Sequence, residues 1–333
     1  MTSPNREVLK EIPSSTLRTL YTTMLRIRKL EERIAELLQS PSEIVCPVHL
    51  YTGQEAVATG FCANLRREDY VFSTHRSHGH YIAKGGDLGA LMAELYGKAT
   101  GCSRGRGGSM HLASPDMGLP GSSAIVAGTI PIAVGAALAL SLKKSDGVAV
   151  SFFGDGAVGE GTFYESLNLA SLKKLPVIFV CENNLYSTHM PVAACLAATE
   201  IYKKAEAFCL PGTRVDGNNV IKVYQAAREA VAAARRGEGP ALIECLTYRW
   251  RGHVGPSYDL DRGLRKQEEL DYWMKKDPVK MLEATLLEQK IMSVRERDRI
   301  SREIDEEIEA AVTFARESPY PDEIEVDKGV FKN

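Results

Sequence analysis

The chain has 333 residues, 44% hydrophobic and 25% charged, ordinary values for a globular protein able to bury a sizeable core. Its 41 Lys and Arg nearly balance 43 Asp and Glu, and a formal net charge of -2 leaves no basic field to hold a nucleic acid. The longest apolar stretch, Ala124 to Leu142, is broken by Gly128, Pro131 and Gly135, so it reads as a buried core helix and not as a membrane span.

Seven cysteines form no CxxC pair, which predicts reduced thiols in a cytoplasmic protein and neither a disulfide frame nor a zinc site. Around Arg6, Glu7 and Lys10 no apolar core precedes a cleavage site, so no signal peptide is expected.

Ser14 to Gln39 predicts an amphipathic helix, N-capped by Ser14 or Ser15. Leu17, Leu20, Met24, Ile27, Leu30, Ile34 and Leu37 recur every three or four residues. Pro41 and Pro47 bound the loop that follows. Gln54 to Asn64 reads as a short helix, Tyr70 to Ser73 as a strand, and Leu88 to Tyr96 as another helix. Gly101 to Gly108, with Arg104 and Arg106, reads as a flexible or ligand-wrapping loop.

The middle of the chain alternates strand and helix. Strands are predicted at Val148 to Phe153, Pro176 to Cys181 and Ala241 to Trp250. Helices are predicted at Ile130 to Leu142, Phe163 to Lys173, Thr199 to Phe208 and Val220 to Arg236. Strands that are apolar on both faces imply an α/β fold: a parallel sheet flanked by helices. The charged tail from Gln267 to Glu317 is helical, with Ile300, Ile304, Ile308 and Val312 on one stripe. One domain over 1–333, with helical additions at 14–39 and 267–317, accounts for the pattern.

The segment with most chemistry is Val148 to Ser187. Gly154, Gly156 and Gly159 fit GxGxxG between a strand and a helix, and Glu182 ends the next strand. That pattern allows a nicotinamide-dependent oxidoreductase with Glu182 on a ribose. Asp155 sits between the first two glycines, however, where a bare carboxylate would repel a pyrophosphate unless a divalent cation lay between them. Asn183 and Asn184 follow the adjacent strand and offer neutral oxygens at the same sheet edge. An oxygen-only set suits Mg2+ shared with substrate phosphates, so a metal-bridged diphosphate site explains the loop better.

Gly154-Asp155-Gly156 followed by Asn183-Asn184 resembles the thiamine-diphosphate motif. Five further segments point the same way: HLYTGQEAVATG (His49 to Gly60), STHRSHGH (Ser73 to His80), GSMHL (Gly108 to Leu112), IPIAVGAALA (Ile130 to Ala139) and YRWRGH (Tyr248 to His253). They resemble the α subunit of the decarboxylating component of 2-oxo acid dehydrogenases, the pyruvate, branched-chain and acetoin dehydrogenase family. The likeness runs to the C-terminal SPYPDEIEVDKGVF.

The resemblance implies a thiamine-diphosphate-binding fold. It assigns Mg2+ to Asp155, the Asn184 side chain and the Tyr186 carbonyl, and the diphosphate to Gly156 and Ala157 N–H groups and to Arg76. His75 stands where pyruvate relatives often carry Tyr. Val126, with Ala124 nearby, would flank the aminopyrimidine. His253 would approach the cofactor phosphate, and His49 the 2-oxo acid. Val254 stands where the mammalian pyruvate enzyme has a phosphorylatable Ser, so that control is not expected. No Glu here matches the residue that pairs with the aminopyrimidine nitrogen. The resemblance therefore implies a β subunit in an α2β2 heterotetramer, and a lipoyl-bearing acyltransferase as acceptor. The expected reaction is oxidative decarboxylation of a 2-oxo acid, pyruvate first, with acetoin cleavage or transketolase-type ketol transfer as alternatives. The Arg251 to Arg265 loop is expected to be mobile until a cofactor binds.

Overall fold

The computed structural model describes residue 9 and residues 11–39, 43–260, 263–325 and 328. Arg6, Glu7, Lys10, Pro41, Arg262 and most of the final EVDKGVF lie outside those residues.

The core is a sheet of six parallel strands in the order β2-β1-β3-β4-β8-β7. These are β1 (Tyr70–Ser73), β2 (Gly121–Ser122), β3 (Ala149–Gly154), β4 (Val177–Asn183), β7 (Gly212–Asp216) and β8 (Ala241–Leu246); β5 (Tyr186–Ser187) and β6 (Met190–Pro191) form a separate hairpin. The two central strands, β3 and β4, are apolar over most of their length because helices cover both faces, with Ser151 inside β3 and Glu182 and Asn183 at the end of β4 the exceptions. Along β3 and β4 the side chains alternate. Val150, Phe152, Ile178 and Val180 join one core with Val57, Phe61 and Val223. Ala149, Phe153, Val177 and Phe179 join the other with Ile130, Val134, Phe163 and Leu167. The period of two splits one apolar run between two layers.

The helices are α1 (Ser14–Leu37), α2 (Glu55–Cys62), α3 (His78–Ala83), α4 (Leu88–Leu95), α5 (Thr129–Leu142), α6 (Gly161–Leu172), α7 (Val192–Cys195), α8 (Val220–Arg235), α9 (Gln267–Met274), α10 (Pro278–Glu288) and α11 (Val294–Glu317). The two terminal helices, α1 and α11, pack on one another, and α11 also lies against α4. The Ile300, Ile304, Ile308 and Val312 stripe is the buried side of α11. A buried ion pair joins the N-terminal helix to the sheet layer. Arg28 of α1 donates to Glu55 Oε1 at 2.6 Å and to Asp277 Oδ2 at 3.1 Å, and its guanidinium lies 3.9 Å from the Trp250 ring centroid.

Several local expectations are corrected. The residue before α1 is Pro13, and no side chain caps the helix, so neither Ser14 nor Ser15 is the cap. The Ala124 to Leu142 run becomes helical only at Thr129, and Ile132 and Leu142 are exposed, so it is not a buried core helix. The Thr199 to Phe208 helix is a 3-10 segment, Ile201–Phe208. The third strand stops at Leu246, short of Trp250. Four strands escaped prediction: β5 and β6 form a hairpin of two residues a side, and β2 and β7 are edge strands, one two residues long and the other half-exposed. The helical tail consists of three helices, α9 to α11. All seven cysteines are free.

Candidate functional site

Parallel strands bring five loops to one edge of the sheet. Thr74 to Arg76 follow β1, Ser123 to Ala127 follow β2, Asp155 to Ala157 follow β3, Asn184 to Thr188 follow β4, and His253 lies beyond β8. Together with His49 and Gln54 they line one cleft, with a volume of about 180 Å3. A cleft at the carboxyl ends of parallel strands is where open α/β sheets bind ligands.

Asp155 and Asn184 meet because β3 and β4 are neighbours with Gly154 opposite Glu182. The Asn184 N–H donates to Asp155 Oδ1 at 3.3 Å. Asp155 Oδ2 is buried without a partner, and burial pushes the carboxyl up to about 6. Asn184 Oδ1 accepts the Tyr186 N–H at 3.3 Å, and its Nδ2 donates to Gln54 Oε1 at 3.2 Å. Between them Leu185 has φ +72°, a left-handed conformation that folds the strand end back. The Tyr186 side chain leaves the cleft, its hydroxyl donating to Glu269 at 2.7 Å, so only the backbone of this residue is available to a ligand. Gly156 lies so close to Ser187 that an added Cβ would stand 2.4 Å from the Ser187 hydroxyl. Asn183 is committed elsewhere: its amide donates to Glu244 at 2.7 Å.

The opposite wall is cationic and imidazole-rich. Arg76 is buried and donates to the carbonyls of Leu50 at 2.7 Å and His253 at 3.1 Å. His49 lies 4.8 Å from His75 and 5.0 Å from His253, ring centroid to centroid. Burial, and then the Arg76 charge, holds His49 down to about 3, His75 to about 2 and His253 to about 4, so all three are neutral at pH 7. Their nitrogens lie within 4.8 Å of one another. Imidazoles sharing one zinc at about 2.0–2.1 Å stand much closer than that, and the neighbouring guanidinium opposes a cation. The wall suits an anion or a carbonyl. Ala124 and Val126 line the cleft between the two walls, with Val126 half-exposed.

The loop carrying His253 is tied down. Arg265 donates to the carbonyls of Arg249, Trp250, Arg251 and Tyr258 at 2.6, 2.9, 3.0 and 2.7 Å. The His253 N–H donates to Asp259 at 2.9 Å, and the Gly255 N–H to Val48 O at 2.8 Å. These hydrogen bonds give the described part of the loop an internal frame, with the Arg265 guanidinium at its centre. The Gly101 to Gly108 loop has an acceptor of its own. It wraps the buried Glu94 carboxylate, which accepts N–H bonds from Ser103, Gly105, Gly107 and Gly108 at 2.7 to 3.0 Å.

Glu182 does not serve as a ribose acid. It is buried, accepts the Tyr51 hydroxyl and lies 3.3 Å from His80 Nε2. The dinucleotide reading fails at that residue. Gln54 carries no functional expectation, whereas Arg249 is expected to support an anion-facing His253 and Arg265 to be one of the loop's positive groups meeting a diphosphate; Arg265 is instead spent on backbone carbonyls. Gln54 stands inside a quoted segment, but nothing in spacing or composition marks a lone Gln at a helix start.

Residues 22–324 match the model of the family described as Dehydrogenase E1 component, and the chain belongs to that family. The α subunit of the acetoin:2,6-dichlorophenolindophenol oxidoreductase of Bacillus subtilis is 44% identical over 94% of this chain and 92% of its own length. The pyruvate dehydrogenase E1 α subunit of Porphyra purpurea is also 44% identical, over 95% of this chain and 92% of its own length. The chloroplastic pyruvate dehydrogenase E1 subunit alpha-3 of Oryza sativa is 44% identical over 94% of this chain and 75% of its own length. The chain is therefore an α-type subunit of an oxidoreductase, and the family implies thiamine diphosphate. Among the described residues no helix is long and apolar enough to cross a membrane.

Proposed function

We propose that this chain binds the Mg2+–diphosphate end of thiamine diphosphate and, with a β subunit, oxidatively decarboxylates a 2-oxo acid, pyruvate first, handing the acyl group to a lipoyl carrier. The observation that carries the reading is Asp155 Oδ2, a buried carboxylate oxygen without a donor, on a carboxylate whose other oxygen meets the backbone N–H of Asn184. A lone buried carboxylate is unfavourable unless a cation meets it, and an oxygen set with one charge fits Mg2+ completed by phosphate oxygens. In this reading Asp155, Asn184 and the Tyr186 carbonyl hold the ion. Gly156 and Ala157 offer backbone N–H groups to the diphosphate, as Arg76 offers its fork.

When bound, the cofactor supplies a carbanion centre and an electron sink, which is what loss of carbon dioxide requires. The chain's own residues do the rest. Val126 and Ala124 give an apolar wall against which a ring can be held. His49 and His253, neutral in the empty site, can each donate one hydrogen bond to a substrate carbonyl or carboxylate and take up a proton as charge develops. Arg76, still charged at pH 7 although burial lowers it to about 9, supplies fixed positive potential. We read residues 1–333 as one domain acting in the cytoplasm, within an α2β2 assembly that docks on a lipoyl-bearing acyltransferase.

Acetoin cleavage is the second reading, because the Bacillus subtilis acetoin relative is as similar to this chain as the pyruvate relatives are. One assay separates them. The chain co-purified with its β subunit is given thiamine diphosphate and Mg2+, and reduction of 2,6-dichlorophenolindophenol is followed with pyruvate or acetoin. Pyruvate turnover with carbon dioxide release supports the first reading. Acetoin turnover alone replaces it.

A further inference from the structure

Gln54 is a buried polar residue of the cleft lining without an assigned role. It is 1% exposed and stands at the start of α2. Its position is rigid: its N–H donates to Tyr51 O at 3.1 Å, the adjacent Gly53 N–H donates to Glu55 Oε1 at 2.9 Å, and Glu55 is clamped by Arg28. Its Oε1 accepts the amide of Asn184 at 3.2 Å. Its Nε2 is buried, lies in the cleft lining and has no partner. A buried amide N–H left unpaired is unfavourable by about 1–3 kcal/mol, so such a group in a ligand cleft points to a ligand acceptor.

The bond to Asn184 has a geometric consequence. An Asn amide can present either its oxygen or its NH2 to a neighbour. Here the Tyr186 N–H fixes the oxygen and Gln54 Oε1 fixes the NH2, so the amide cannot turn over. Only that orientation keeps the amide oxygen on the Tyr186 side, away from Gln54, as an acceptor that a cation could share. We propose that Gln54 is a positioning residue for the metal–diphosphate end of the cleft: Oε1 locks the Asn184 oxygen toward the cation, and Nε2 donates to an oxygen of the diphosphate. This rests on the metal–diphosphate reading above and adds to it a residue outside the motif.

The test compares Gln54→Leu and Gln54→Glu in the full chain co-purified with its β subunit. Mn2+ binding is followed by electron paramagnetic resonance, and thiamine diphosphate binding by calorimetry at saturating Mg2+. Groups that orient metal ligands change metal affinity by about 10–100-fold when removed. Gln54→Leu lacks both polar atoms and should weaken Mn2+ and thiamine diphosphate by at least about 10-fold each. Gln54→Glu keeps an acceptor for Asn184 but loses the donor and adds a charge facing the diphosphate. It should hold Mn2+ within about 3-fold of wild type and still lose about 10-fold or more in thiamine diphosphate affinity. A merely structural role predicts lowered melting temperatures for both variants with unchanged affinities, and that result overturns the proposal. So does equal loss of Mn2+ in both variants. If Gln54→Leu does not fold, Gln54→Glu alone decides through its split between the two affinities. If wild type binds neither ligand, the metal–diphosphate reading itself is wrong. If wild type binds both and the variants match it, only the role of Gln54 is lost.

Discussion

The backbone N–H of Asn184 donates to Asp155 Oδ1 at 3.3 Å, while Asp155 Oδ2, on the same carboxylate, is buried with nothing to accept from. One oxygen is satisfied by the neighbouring strand end and the other is held free. This arrangement weakens the empty protein. A prediction about stability therefore tests the site without any catalysis.

Burial raises Asp155 from 3.8 to about 6 in the folded chain. The folded state then holds more protons than the unfolded state between those values. The contribution of this group is fully present below 3.8 and is lost as pH rises through about 6. A shift of about two units corresponds to about 3 kcal/mol as an upper figure. Asp155→Asn should thus stabilise the metal-free chain by about 1–3 kcal/mol at pH 8 and by almost nothing at pH 4. It should also lose Mg2+-dependent thiamine diphosphate binding. Urea unfolding at both pH values is the measurement. A variant no more stable than wild type at pH 8 would show that the carboxylate is not an unpaired burden.

The imidazole wall carries the opposite sign. His49, His75 and His253 sit well below their ordinary 6.5, first through burial and then through Arg76. Here the unfolded chain takes up protons first as pH falls. Their contribution is present above 6.5 and is lost on going down toward about 4 and below. His253→Gln should flatten the acid limb of stability between pH 6.5 and 4 relative to wild type. Thermal melts across that range decide it. An unchanged limb would mean that His253 already carries its proton in the folded state.

What the sequence disclosed follows from where backbone and side chain agree. Val148 to Phe153 and Pro176 to Cys181 are legible because a strand covered on both faces must be apolar over most of its length. The edge strands β2 and β7 lack that requirement, so nothing marked them. Asp155 and Asn184 were legible as a pair because two short motifs end adjacent parallel strands. Gln54 was not, since its role depends on a contact across 130 residues of chain, with no local pattern to announce it. The Gly101 to Gly108 loop misled for a related reason. Glycines that free backbone N–H groups look alike whether the acceptor is a ligand or a carboxylate of the same chain, and here it is Glu94.

Arg265 offers a sharper case of contact without pattern. Its buried guanidinium serves four carbonyls of the segment that presents His253. Arg265→Met would take the donor from the Arg249, Trp250 and Tyr258 carbonyls, while the Arg251 carbonyl keeps the Arg249 guanidinium at 3.2 Å, and unmet buried groups are unfavourable by about 1–3 kcal/mol each until water reaches them. Chymotryptic cleavage at Tyr258 should accelerate by at least about 10-fold in the variant. Wild type should resist cleavage even without cofactor. Rapid cleavage of cofactor-free wild type would mean that the loop is mobile until a cofactor binds, as the sequence reading expects.

The last prediction concerns what covers the cleft. Helices α5 and α6 pack together, yet they leave Ile132, Leu142, Leu169 and Leu172 exposed, and Ile125 and Val126 continue the apolar surface to the cleft wall. On α5, Ile132, Gly135, Ala139 and Leu142 are all exposed at helical spacing, and the space above Gly135 is open. A surface helix has no use for such a stripe, whereas small residues between large apolar ones let another helix approach closely. The chain also lacks a Glu matching the one that activates the aminopyrimidine, so a β subunit seated on this face would both bury the stripe and complete the cleft. Stable interfaces of this kind bury about 2,000 Å2 or more and tolerate a charge at their centre poorly. Ile132→Lys should therefore abolish co-purification with the β subunit and leave the chain's circular dichroism unchanged, since the exposed side chain supports nothing inside. Dichlorophenolindophenol reduction should fall with it. Ile324→Lys, at an exposed apolar residue in the C-terminal segment, is the control and should assemble normally. Wild-type assembly by the Ile132 variant would place the β subunit elsewhere, and activity of the isolated chain would remove the need for one.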